Sequence, residues 1–346
     1  MSRIGRSRLS VVAGLIMALS LVLAGCGGSA SGQQNGSGGE LVSGEVRIEG
    51  SSTVQPITQA AAELFREENP DARISVGGAG TSDGFEAFCK GDTEISNASR
   101  PIDVAEEVPV CEENGIDFIE IPVAFDGISV VVNKQNDFAT EVTSEQLKTL
   151  WEPAAEDRIT QWDQVNPQWP NEEINLYGPG TESGTYEFFN EVIVGNEEEV
   201  NRSDYEASED DNVLVQGVSG DQNALGYFGY SYYVNNRDKL KVLAVDGVEP
   251  TTDSISSGEY LLSRPLFIYV STKALKNNKA VKPFVDFYLA EQNLDRLVNA
   301  AKYVTLPSSL EQEARDQYED RTTGTVFNAG GEPKGGDLEA ALQQSQ

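Results

Sequence analysis

The sequence predicts an α/β fold, with open sheets carrying helices on both faces. Three observations carry this. Short apolar or β-branched runs alternate with segments of helical apolar spacing, and the βα order repeats along most of the chain. Beyond a leader and a Gly-rich stretch, roughly 300 residues remain, enough for two domains with substantial cores. The pattern divides into two blocks near Asn133, with no internal repeat.

The leader comes first. Arg3, Arg6 and Arg8 precede an apolar run from Val11 to Ala24 that is too short to span a bilayer and is closely followed by small residues. Residues 1–25 therefore read as a secretion signal. The run ends in Leu23-Ala24-Gly25-Cys26, which resembles a bacterial lipobox; cleavage before Cys26 leaves its sulfur and amine open to acylation. The alternative is an ordinary signal with a chance cysteine, and the position of Cys26 directly after the apolar run argues against it. Residues 26–43 are mostly Gly, Ser and Gln, a flexible tether of about 20 Å root-mean-square reach. That order describes a body held at the extracytoplasmic face of a membrane by a lipid anchor alone.

In the first block, 46–49 reads as a strand and 55–68 as a helix with Ile57, Ala61, Leu64 and Phe65 on one face, stopped by Asn69-Pro70. A strand at 74–76, a helix at 82–90 and a strand reached through 94–98 follow, then two apolar extended runs at 118–123 and 128–132. In the second block, Thr143-Ser144-Glu145-Gln146 is a capping box opening a helix to Trp151. Strand signals at 174–177, 226–229 and 242–245 accompany helical ones at 183–192 and 213–219. The apolar strand 266–270 precedes helical regions at 281–301 and 310–321. The tail, 322–346, is polar and Gly-rich and reads as poorly ordered.

Composition excludes much chemistry. Lys and Arg total 25 against 56 Asp and Glu, a net charge of −31, which argues against nucleic acid or anionic lipid as partners. There is no His, so Ser–His–Asp hydrolysis and His-ligated metal sites are ruled out, and neither metal nor cofactor is expected. Among so many acids no carboxylate pair stands out for glycosidase work. With Cys26 assigned to lipid, Cys89 and Cys111 remain in an oxidising compartment and read as a disulfide, two buried thiols being the alternative.

Three segments share one design, in which a strand ends, a Gly- and hydroxyl-rich turn follows and a helix begins. They are Gly50-Ser51-Ser52-Thr53-Val54, Gly78-Ala79-Gly80-Thr81-Ser82-Asp83-Gly84 and Gly178-Pro179-Gly180-Thr181-Glu182-Ser183-Gly184-Thr185. Helix starts offer unpaired N–H groups and partial positive charge, and Ser and Thr add directional donors. One such turn is usually an N-cap; three, two in the first block and one in the second, can converge on a single oxyanion. Arg100, after a strand's carboxyl end in Asn97-Ala98-Ser99-Arg100-Pro101, adds a guanidinium able to clamp two oxygens.

GSSTVQPI, GAGTSDGF, NASRPI and GTESGTYEFF, in this order and spacing, resemble the phosphate-binding proteins of bacterial high-affinity phosphate ABC importers. The resemblance runs from about Gly44 to Arg321 and includes Asn223-Ala224-Leu225-Gly226-Tyr227 and Arg264-Pro265-Leu266; it is to the subgroup with a Cys pair and an S-R-P turn. It implies a two-lobed, type II periplasmic-binding-protein fold with mixed sheets and two crossover segments. Lobe I would span 44–130 and 264–321, and lobe II 131–263. It also implies a monomeric, non-enzymatic receptor that closes on inorganic phosphate and delivers it to importer permease subunits. The family's donors fall on Thr53, Val54, Thr81, Ser183, Gly184 and Thr185, with Ser52 adjacent. Two departures stand out. Ser99 occupies the place of an Asp that accepts the proton of hydrogen phosphate, and Pro179 that of an Arg. Arg100 is the expected replacement for that Arg, and Asp83 for the acceptor, although Asp83 also suits a solvent-facing cap. The alternatives are a surface lipoprotein for another oxyanion and a phosphatase-like enzyme using Ser183.

Overall fold

The structure, a computed structural model, describes residues 42–195, 200–334 and 336–345. The leader, Cys26 and most of the tether lie outside them.

The first block comprises β1 (Gly44–Gly50), α1 (Gln55–Glu68), β2 (Ala72–Val76), α2 (Thr81–Lys90), β3 (Ile95–Ala98) and α3 (Glu107–Glu113). Helix α1 buries Ile57, Ala61 and Phe65, as its spacing predicts. Next comes β4 (Phe118–Asn133), 16 residues, all buried. Its two apolar runs are one strand because Asp126-Gly127 between them stays extended.

The second block holds β5 (Glu141–Val142), α4 (Ser144–Trp151), α5 (Trp162–Val165), β6 (Asn175–Pro179), α6 (Gly184–Phe189), β7 (Glu206–Ser208), α7 (Asp211–Gly220), β8 (Ala224–Gly229), α8 (Tyr230–Val234), β9 (Leu240–Val242), β10 (Ala244–Val245) and α9 (Thr252–Ser256). The capping box at Thr143 forms with both of its hydrogen bonds. The chain returns along β11 (Ser263–Ser271) and finishes with α10 (Thr272–Asn277), α11 (Val281–Leu289), α12 (Glu291–Ala300), α13 (Ser308–Glu319) and α14 (Leu338–Ser345).

The main sheet runs β2-β1-β3-β11-β4-β8-β6-β7, with β9 also on β4. Strands β2, β1 and β3 are parallel, and β11 lies antiparallel to both β3 and β4. Strand β4 changes partner along its length: residues up to Gly127 pair with β11, and those from Ile128 pair with β8. The result is a two-lobed α/β architecture with a mixed sheet, joined through β4 and the entry to β11. Among the described residues no helix is long and apolar enough to cross a membrane.

Cys89 on α2 and Cys111 on α3 form a disulfide, worth about 3 kcal/mol by loop entropy. Helix α3 has no counterpart among the elements expected from the sequence.

The tail departs from its expected disorder. Phe327 is 2% exposed against Phe267, and Leu338, Ala341 and Leu342 bury one face of α14. Its anchor is Glu120, a fully buried carboxyl in β4 that accepts from Tyr269 Oη (2.6 Å), Thr325 Oγ1 (2.8 Å) and Val326 N (3.0 Å). Polar composition hid these few anchors. Deleting 322–346 strips Glu120 of two donors and should cost about 3–5 kcal/mol, read as a fall of several degrees in melting temperature. An unchanged melting curve would mean that the tail does not stabilise lobe I.

Candidate functional site

Strands β2, β1 and β3 end along one edge of the sheet, the edge at which open α/β sheets bind ligands. The turns that follow are stitched together. Ser51 N donates to the Asn97 carbonyl (2.9 Å) and Gly80 N to the Gly50 carbonyl (3.0 Å). Gly50 has a φ of 135°, and a Cβ there would sit 2.1 Å from the Asn97 oxygen, so only glycine fits. Neither α1 nor α2 has a side-chain N-cap hydrogen bond.

Two of the predicted groups meet here across the lobes. Gly184, opening α6, lies so close to Thr53 that a Cβ on it would be 2.2 Å from Thr53 Oγ1. Between them reaches Arg264 of β11, whose Nη2 donates to Thr53 Oγ1 (3.1 Å) and to the Gly184 carbonyl (3.1 Å). Its guanidinium packs over Phe188, 4.1 Å from the ring centroid. Its Nε lies 3.4 Å from Asp126 Oδ2, the residue directly opposite in the β4–β11 ladder; Asp126 is buried and Arg264 partly so. Burial pushes the Asp126 carboxyl up, against the downward pull of Arg264.

The remaining predicted residues are placed as follows. Thr81 and Ser99 form a pair, their hydroxyls 3.1 Å apart and Ser99 N donating to Thr81 Oγ1 (3.2 Å). Ser183 Oγ caps α6 by accepting from Thr185 N (3.2 Å). Val54 N donates to Ser51 Oγ (3.4 Å), and Ser52 is half-buried beside it. Arg100 already has partners within lobe I: its two terminal nitrogens donate to both Glu107 oxygens (2.9 and 2.7 Å), to Ser82 Oγ (2.9 Å) and to the Pro101 carbonyl (3.1 Å). Helix α3 supplies that Glu107, so the Arg100 charge is already offset within lobe I. Asp83 is exposed on the first turn of α2, whereas Asp126 is 1% exposed between the lobes. The pairing of Asp126 with Arg264 between the lobes was not expected from the sequence. Their signals were a lone charge between two apolar runs and an Arg at the start of an apolar strand.

A second acid faces this region from lobe II. Burial, followed by the fields of Asp210, Asp126 and Glu209, pushes Asp211 up to about 7. The folded-state value exceeds the unfolded one of about 3.9, so the associated stability is full below about pH 4 and is lost as pH rises through 7. The Asp211→Asn variant should therefore match the parent at pH 4 and exceed it above pH 7, by at most about 4 kcal/mol. Parallel pH–stability curves would contradict this.

Relatives give independent evidence. The family model of a PBP superfamily domain matches residues 35–292. The protein SphX of Synechococcus elongatus is 45% identical over 304 residues, covering 86% of this chain and 88% of its own. The phosphate-binding protein PstS of Staphylococcus saprophyticus is 41% identical over 308 residues, covering 87% and 91%. Among solved structures, a possible phosphate binding protein from Planctomyces limnophilus superposes with a TM-score of 0.75 at 40% identity, covering 81% of this chain and 99% of that one.

Proposed function

Because this chain belongs to the PBP superfamily, and within it to the PstS-like phosphate-binding proteins, we propose that it binds inorganic phosphate between its lobes and delivers it to an ABC importer. It is a binding protein, and no catalytic role for Ser183 is assigned. One observation carries the reading: a single guanidinium, Arg264, bridges Thr53 of lobe I and Gly184 of lobe II beside a buried carboxylate. A ligand entering there meets donors from both lobes, so closure and binding are one event. The receptor works outside the cytoplasm, acylated at Cys26, held by the tether and monomeric.

In this reading Thr53, Thr81, Ser183, Thr185 and the amides of Val54 and Gly184 donate to the phosphate oxygens, with Ser52 and Ser99 beside them. Arg264 supplies the positive charge first assigned to Arg100. Charge-assisted hydrogen bonds contribute about 1.5–3 kcal/mol each, and micromolar affinity needs about 8 kcal/mol net, so several together suffice. Asp126, rather than the exposed Asp83, accepts the proton of hydrogen phosphate. Sulfate has no proton near neutral pH, and its oxygens repel the carboxylate. Calorimetric titration of the lipid-free body should give micromolar or tighter phosphate binding and weak sulfate binding, and Asp126→Asn should narrow that gap. Equal binding of the two anions by the parent would sink the acceptor role, and no phosphate binding the whole reading.

A further inference from the structure

Beside the cleft lies a groove of about 480 Å³ between α8 and its following turn in lobe II and the segment after α12 in lobe I. In a chain with 56 acids against 25 bases, the groove includes Arg237 and Lys302 and, among the described residues, no Asp or Glu in its lining. Neither cation forms an ion pair among the described residues. Arg237 is held instead by neutral groups, donating to Tyr230 Oη (3.3 Å) and packing over Tyr233.

Lys302 carries the second observation. It has a φ of 68°, left-handed backbone that disfavours a side chain. Tyr303 N donates to the Val298 carbonyl (3.1 Å) after the α12 C-cap at Ala301, which makes Lys302 the position of a helix end where glycine is usual. The chain thus bears local strain to place an ammonium at this spot, one route by which functional positions are recognised. The groove also adjoins the cleft. The next residue, Tyr303, lines it and feels the charges of Asp126, Arg264 and Asp211, and Val304 exchanges backbone hydrogen bonds with Phe125 (2.8 and 2.9 Å), the neighbour of Asp126.

We propose that this groove is a second anion-binding site, which captures small oxyanions next to the cleft and raises their rate of entry. The proposal rests on the phosphate-binding reading of the cleft. A chain of net charge −31 repels a dianion at long range, and a local pair of cations counters that field near the entrance. Neither residue is among the groups assigned to the bound ligand, so they alter arrival more than retention.

Stopped-flow association of hydrogen phosphate tests this, with the parent chain and the Lys302→Gly, Arg237→Gln and doubly substituted variants. Glycine relieves the left-handed strain at 302, so that variant should melt no lower than the parent. The double variant should associate about ten-fold more slowly at about 10 mM salt and about two-fold more slowly at 150 mM, with dissociation unchanged. Equal association rates at low salt would overturn the groove's role, as would a loss carried entirely by faster dissociation. If the parent itself takes up no phosphate, the cleft reading fails as well, a result distinct from either of these.

Discussion

Replacing Arg264 by Met should weaken phosphate binding by about two to four orders of magnitude. The guanidinium joins Thr53 and the Gly184 carbonyl across the lobes, and two charge-assisted hydrogen bonds at about 1.5–3 kcal/mol each account for that loss. The substitution also leaves Asp126 buried without its cross-strand partner, at a cost to folding of about 3–5 kcal/mol. A second change separates these effects. Adding Asp126→Asn to the Met variant removes the orphan charge and should restore much of the melting temperature, while phosphate affinity stays well below that of Asp126→Asn alone, which lacks the same acceptor but keeps the guanidinium. Recovery of affinity together with stability would assign Arg264 a purely structural role.

Gly184→Ala acts through space instead of charge. The new methyl would lie 2.2 Å from Thr53 Oγ1, 3.2 Å from its Cβ and 3.4 Å from its Cα. The hydroxyl can rotate, but Thr53 is buried and its backbone cannot easily retreat, so the lobes must stay apart. Because the open form is relieved of this clash, and alanine suits a helix better than glycine, the ligand-free variant should melt within about 2 °C of the parent. Its affinity should fall at least ten-fold, and the thermal shift induced by millimolar phosphate should shrink accordingly. A variant with full affinity would mean that the lobes need not meet at Thr53 and Gly184.

The sequence made some of this legible and hid the rest for physical reasons. Helix α1 was readable to its ends because local signals define it, an apolar face and a terminal Asn-Pro. The first two Gly-rich turns were readable because unusual backbone demands unusual residues, as at Gly50 and Gly80 with φ of 135° and 115°. The Asp126–Arg264 pair was not, since its members lie 138 positions apart and only the register of β4 against β11 makes them neighbours. The pairing of Arg100 with Glu107 was not legible, because α3 has no sequence signal. Its Val108-Pro109-Val110 carries no helical periodicity, yet it delivers Glu107 to the guanidinium. The tail misled because composition averages over 25 positions, whereas its order rests on a few contacts, chiefly those of Glu120, Phe327 and Leu342.

The charge balance of the cleft follows from the same residues. Asp126 and Asp211 share the region with one guanidinium, Arg264, so a bound dianion adds repulsion unless a proton accompanies it. Hydrogen phosphate brings such a proton and sulfate does not, so under the proposed function selectivity depends on the carboxylate at the crossover.

A crystal structure of the lipid-free body grown with phosphate tests the central claim most directly. The account predicts tetrahedral density between the lobes, within hydrogen-bonding distance of Thr53 Oγ1, the Arg264 guanidinium and the first turn of α6. Density on the Arg100 side alone, or closed lobes with the anion bound elsewhere, would contradict it.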